Sequence, residues 1–450
     1  MNKLRMKWLA LLCSLALGAA CVAHAQDNRA ILDLLVRKGT ITDQEAEDLR
    51  SEVAKQNLSA LVSTGLGANL EKLALTGRFQ SQFVGLGTET GVAASNPAAT
   101  NHFLLRRIYL GMKPQFANGW SGFLNYDFAG STFDAAQITW SERPELVLDI
   151  GFRKVPFGYD EWSISSGALK AIERSSITRF FVESNNGLRL GGGSYRQGVF
   201  VGGASSATQG GWSYNFAVTN PERDESAAGA AGVGGATNNN FAYWGNFGYS
   251  HKFGEGLLNS WKIGASAGLL TDQGGSGLSA AGAVLGGGGN VGKRNDLSVF
   301  SVYADFYYDK FSLVGEYYWA KDELGRLGST ATTGLDSKPS GFWIQPSYRF
   351  GQYELVARYG QVDSDGRGIQ PGDLIRSAPS VATGLTMDTM NDWYFGLNWY
   401  ILGNDLKHDV KFQIGYTKAT SKDRLVPAAA PVGVKELTTE GVRAQMQINF

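Results

Sequence analysis

The chain has 450 residues, 41 basic against 41 acidic side chains, 59 glycines and a mean hydropathy of −0.16. That length admits one large β domain or two or three ordinary ones, and outside the first 25 residues no run nears the roughly 18 apolar residues of a membrane helix, which excludes a helical membrane protein. Cys13 and Cys21 both fall in those first residues and His102, His251 and His408 stand alone, so disulfides, zinc sites, thiol catalysis and redox chemistry have no ligands to work with.

Residues 1–25 read as a secretory signal peptide. Met1–Lys7 is basic, "WLALLCSLALGAACVA" is apolar, and Ala23-His24-Ala25 is an A-x-A cleavage motif before Gln26. Cys21 as a lipid acceptor is the rival reading, disfavoured because Gly18 stands where the usual lipoprotein pattern has leucine. Removal of Lys3, Arg5 and Lys7 takes the net charge from 0 to −3, which argues against a nucleic-acid partner.

Residues 27–56 carry helical spacing at Ile31, Leu34 and Leu35, a stop at Gly39, and a T-x-x-E capping box of Thr42 and Glu45 before Ala46, Leu49 and Val53. They predict a short periplasmic helical hairpin. It is either inert or a coiled-coil-like stalk that pairs between subunits.

From Glu71 to Phe450 the period changes from 3.6 to 2. In "KLALTGRFQSQF", Leu73, Leu75, Phe79 and Phe83 share one face, with Lys72, Thr76, Arg78, Gln80 and Gln82 opposite. Sixteen such windows follow one another, near 72–84, 101–115, 119–128, 133–141, 145–153, 196–205, 211–219, 239–253, 259–270, 297–308, 310–320, 341–350, 353–363, 390–401, 408–418 and 440–450. Even-ranked connectors are tight, such as "FANG", "SERP" and "FGQ", whereas most odd-ranked ones are long and rich in Gly, Ala, Ser and Asn. Aromatic ends on the apolar faces and this loop asymmetry predict an all-β fold, a 16-stranded antiparallel transmembrane barrel of the bacterial outer membrane. An even count places both ends on the periplasmic side, and the last strand must pair with the first, because an open edge in hydrocarbon leaves its backbone groups unsatisfied. Val442, Ala444, Met446, Ile448 and Phe450 then face lipid, with Arg443, Gln445, Gln447 and Asn449 inward. The terminal Phe450 also resembles the signal read by the outer-membrane assembly machinery.

Sixteen strands enclose an aqueous channel unless something fills it. By alternation the lumen receives Lys72, Arg78, Arg107, Lys113, Arg153, Lys252, Lys262, Arg349, Arg358, Lys411 and Arg443, against Asp127, Asp149, Asp305, Glu316, Glu354 and Asp409. Eleven positive against six negative is a cationic lining. The third loop, 154–195, is the longest connector and brings Lys154, Lys170, Arg174, Arg179 and Arg189, together with Asp160, Glu161, Glu173 and Glu183.

"GFRKVPFGYDE" (Gly151–Glu161), "LKAIERSSITRFF" (Leu169–Phe181) and the upstream "FLLRRIYLGMKP" resemble motifs of the phosphate-selective porin O and P family, over about Glu71 to Phe450. The third loop is likewise similar to the inward-folded constriction loop of trimeric porins. The resemblance implies a passive channel for small anions, phosphate or polyphosphate, in which basic residues lead the solute to a constriction. It also implies a homotrimer. The alternatives are a porin without phosphate preference and a structural or adhesive barrel. Two apparent motifs are decoys: "GGGGNVGKR" has Arg294 where a P-loop needs Ser or Thr, and "LGGGSY" has no nearby histidine. Neither a catalytic site nor a cofactor is expected, and the 45 residues before the first strand are too few for a transporter plug.

Overall fold

The computed structural model describes residues 69–450 apart from 184–188, 206–209, 222–240, 254–258, 274–294, 324, 328–334, 381–384, 404–407 and 426–432. The signal peptide and the helical hairpin lie outside the described residues. Sixteen strands run in order: β1 Leu70–Glu89, β2 Thr100–Phe116, β3 Trp120–Asp127, β4 Thr132–Arg143, β5 Leu146–Lys154, β6 Tyr195–Ala204, β7 Gly210–Thr219, β8 Ala242–Lys252, β9 Ser260–Gln273, β10 Asn295–Tyr308, β11 Phe311–Asp322, β12 Ser340–Phe350, β13 Tyr353–Asp363, β14 Thr386–Tyr400, β15 Val410–Leu425 and β16 Leu437–Asn449. They form a closed barrel in which each strand neighbours the next and β1 pairs antiparallel with β16, from Arg78↔Asn449 to Glu89↔Thr438. Closure removes every edge that hydrocarbon would leave unpaired.

Alternation decides the two faces as expected on the closing strand. Val442, Met446, Ile448 and Phe450 are exposed on the outer wall, and Arg443, Gln445 and Gln447 are buried inside. Several strands run past their expected ends on the long-loop side: β1 to Glu89, β9 to Gln273 and β15 to Leu425, while β14 starts at Thr386 and β16 at Leu437. Some of those ends, such as Thr420–Asp423, are polar on both faces. Beyond the apolar band water solvates either face, so the ladder continues where no hydrophobic period marks it.

The lumen is not uniformly polar. Among the described residues, three short helices lie inside it, α1 (Tyr159–Trp162) and α2 (Ser176–Phe181) in the third loop and α3 (Pro371–Leu374) in the seventh loop, 364–385. Phe157, Ile177, Phe180, Phe181, Val182 and Leu190 pack against inward-facing Val84, Leu86, Val299, Tyr318, Trp343 and Val362, joined by Leu374 and Ile375. The Phe181 ring stacks on Tyr318 with centroids 5.0 Å apart. Room for this core comes from glycine: a Cβ on Gly360 would lie 2.7 Å from Ile177 Cδ1. At about 1.5–3 kcal/mol for each fully buried large apolar side chain, this core is the main hold on the loop.

Candidate functional site

The third loop descends from β5, turns deep in the barrel and climbs back to β6. On the way down, the Glu316 carboxylate of β11 accepts from the backbone N–H groups of Tyr159 (2.7 Å) and Asp160 (3.3 Å), and Asp305 of β10 accepts from the Tyr159 hydroxyl (2.6 Å). At the tip, Arg78 donates to Ser166 (2.5 Å) and Ser165 (2.9 Å), while Lys411 donates to the carbonyls of Leu169 (2.8 Å) and Gly167 (3.2 Å). On the way up, Arg358 donates to the Glu173 carbonyl (2.8 Å), and Ser176 N–H donates to Asp392 (2.9 Å). Ser175 caps α2 by accepting from Thr178 N–H at 3.0 Å, as a serine does at a helix start.

The third and seventh loops are clamped together by charge. Glu183 meets Arg189 at 2.7 Å, Arg179 at 2.9 Å and Arg376 at 3.0 Å, and Arg189 also meets Asp373 at 2.9 Å. Burial alone would raise the Glu183 carboxyl, but the coulombic fields of Arg179, Arg376 and Arg189 outweigh it and hold the group well below the ordinary carboxylate range. Asp373 is shifted upward, because its burial outweighs the help of Arg189 and Arg179. Above the clamp, Arg367 pairs with Asp322 at 2.8 Å, and both are almost wholly buried.

Where these loops meet the wall of β13, β14 and β16 there is a cavity whose charged lining is Arg174, Arg179, Arg358, Arg376 and Arg443 against Glu173 and Asp392. Five guanidinium groups face two carboxylates. Buried Arg358 Nε and Arg443 Nη1 have no hydrogen-bond partner among the described residues. Buried donors left unmatched cost free energy.

Residues 73–450, almost the whole of this closed barrel with its inward loop, match the family model of phosphate-selective porin O and P. The chain belongs to that family. It is a porin of the outer membrane, a channel and not an enzyme. Among solved structures, the anion-selective porin from Comamonas acidovorans is 12% identical with a TM-score of 0.51, covering 84% of this chain and 99% of that one, a likeness of fold. The outer membrane channel DcaP of Acinetobacter baumannii is 13% identical, with a TM-score of 0.48 and coverage of 84% and 97%. OmpT of Vibrio cholerae in its trimer form is 10% identical, with a TM-score of 0.47 and coverage of 84% and 99%. No curated protein sequence matches the chain.

Of the basic residues expected in the porin's anion pathway, the fold brings Arg174, Arg179, Arg358 and Arg443 into one cavity. Others are spent on neighbours: Arg153 pairs with Asp149, Lys154 with Glu161 (2.8 Å) and Lys170 with Glu354 (2.9 Å). Arg174 itself pairs with Asp160 (3.0 Å) and Glu161. Arg189 belongs to the clamp, Arg78 and Lys411 hold the loop tip, Arg107 donates to Gln80 (2.7 Å), and Arg349 lies 4.3 Å over the Tyr400 ring near the short-turn rim.

Two arginines in the barrel interior were not legible from alternation. Arg106 should point away from Arg107, yet the exposed residues on β2 change phase, from Phe103 and Leu105 to Leu110 and Met112. A break in the pleat of this kind turns two successive side chains to one face. Arg106 therefore reaches Glu173 with Nε at 2.5 Å and Nη2 at 3.0 Å. Arg376 sits on the seventh loop, where nothing in its local sequence marks an inward fold.

Proposed function

We propose that this porin is a passive diffusion channel for small anions, phosphate or polyphosphate, with the third and seventh loops together as its constriction. The reading is carried by the cavity in which five guanidinium groups face two carboxylates and Arg179 Nε, Arg358 Nε and Arg443 Nη1 have no hydrogen-bond partner among the described residues. Guanidinium forks bind tetrahedral oxyanions through paired donors, and a series of such sites passes an ion without trapping it. Arg107 and Arg78 continue the cationic wall below the cavity. Pairing of Lys170 with Glu354, and of Arg174 with Asp160, favours the second reading, anion conduction without a phosphate preference.

Planar-bilayer recordings separate the two. A KCl gradient should give a reversal potential on the anion side, and phosphate should depress chloride current at low concentration. A reversal potential on the cation side would refute both. The porin is further proposed to assemble as a homotrimer, with residues 27–56 in the periplasm and the Phe450 strand as the segment read during assembly. A monodisperse monomer in mild detergent would speak against the trimer.

A further inference from the structure

Glu173 holds an unusual place in this throat. Its Oε1 accepts from Arg106 Nε (2.5 Å) and Gln82 Nε2 (3.0 Å), its Oε2 accepts from Arg106 Nη2 (3.0 Å), and Arg376 Nε stands 3.5 Å from Oε2. A guanidinium fork, an amide and a second guanidinium converging on two oxygens make an oxyanion site, and the chain's own carboxylate fills it. Burial would raise this carboxyl, but Arg106 and Arg376 outweigh that effect and hold it well below the ordinary range, so it stays an anion. Glu183, by contrast, lies outside the cavity lining and joins loop to loop. The partners of Glu173 can also be shared. The Arg376 side chain is 34% exposed and is held separately by Glu183 at 3.0 Å, so it can turn toward a solute without losing its tether.

We infer that Glu173 is a tethered competitor: its carboxylate occupies the oxyanion site of the throat, a permeating anion binds there only by displacing it, and the site therefore releases what it admits. This rests on the anion-channel reading above. A cationic site without such a competitor would bind a multivalent oxyanion tightly and conduct it slowly, whereas exchange between a fixed and a mobile anion keeps the number of occupied donors nearly constant along the path.

The test uses the full-length porin in planar bilayers, with inorganic phosphate added to a chloride solution. Glu173→Gln keeps the shape and removes the charge. It should lower the half-blocking phosphate concentration at least tenfold and reduce the maximal phosphate current. An unchanged or raised half-blocking concentration would overturn the inference, as would an equal fall in Glu183→Gln, since the effect would then be one of net charge alone. If Glu173→Gln gives no barrel that shifts on heated gels, Glu173→Asp decides. It keeps the charge but is one methylene too short to reach the Arg106 fork, so the half-blocking concentration should again fall, and block at the wild-type concentration would refute the proposal. A wild-type channel with cation preference would instead refute the underlying channel reading before any variant is measured.

Discussion

Gln80 on β1 and Gln447 on β16 share a side-chain hydrogen bond of 2.6 Å across the seam where the barrel closes. Gln82 and Gln445 repeat it at 2.7 Å one pleat further on, and Gln445 donates to Gln413 of β15 at 2.9 Å. The inward face of the seam is thus a row of amides, each able to donate and accept. The same Gln447 amide donates to the carbonyls of Gly167 and His408. Seam and loop tip are tied by one residue.

Gln447→Leu should therefore weaken closure. It removes three hydrogen bonds, while the Gly167 carbonyl keeps Lys411, the His408 carbonyl keeps Asn449 and the Gln80 amide keeps Ser166 at 3.3 Å, so the loss is the net worth of the bonds themselves, about 0.5–1.5 kcal/mol each. The expected result is a lower temperature for the band shift on semi-native gels. An unchanged transition would mean that water replaces the amide.

Phe181→Ala should loosen the third loop and leave the barrel intact. Removing a buried phenyl from a packed core costs about 3–5 kcal/mol, and here the loss falls on the contact with Tyr318. Limited trypsin digestion should cut within the loop while the heat shift stays in place, and single-channel current should become noisier.

Replacing Arg358 and Arg443 together by glutamate should move the reversal potential from the anion side toward the cation side. At about 4 Å and an effective dielectric near 20, each contact with a passing charge is worth up to roughly 4 kcal/mol before desolvation is subtracted. Arg349→Glu, near the short-turn rim, should do much less, because water and salt screen it. Equal shifts at the two places would remove the cavity as the filter.

Acid should act late. A carboxyl whose folded pKa lies below its unfolded value contributes stability that is fully present above the unfolded value and lost as pH falls through the folded one. Glu183 and Glu173 are both displaced in that direction. The contribution of these two groups is therefore expected to stay level from about pH 8 to about pH 5 and to be lost only below about pH 4, the ordinary carboxylate range, whereas Asp373, shifted upward, loses its charge before they do. Current noise that does not change further below about pH 4 would show that these two groups do not hold the loop.

The strands were legible because their signal is local. A period of two, interrupted by tight turns and long loops in alternation, needs no knowledge of any distant residue, and each of the sixteen expected windows holds a strand. The pairing of the last strand with the first followed from the same reasoning, since hydrocarbon tolerates no open edge. What was lost locally was lost for a local reason. Polar ends such as Thr420–Asp423 carry no period, and the phase change on β2 hides Arg106 among residues assigned to the lipid face.

The constriction was legible only in part. The third loop and its charges stand out in the sequence, and Arg174 and Arg179 do reach the throat. Yet Arg174 ends paired with Asp160 and Glu161 and Arg179 with Glu183, just as Arg153, Lys154 and Lys170 end beside Asp149, Glu161 and Glu354. Composition and alternation by themselves determined a closed outer-membrane barrel, because the period and the turns are set by near neighbours along the chain. Only the tertiary structure decided how each basic side chain is paired. That outcome depends on which carboxylate each one meets across the lumen, and partners such as Arg376 and Glu183, 193 residues apart, are brought together by closure of the barrel and by the apolar core that draws the loops inside it.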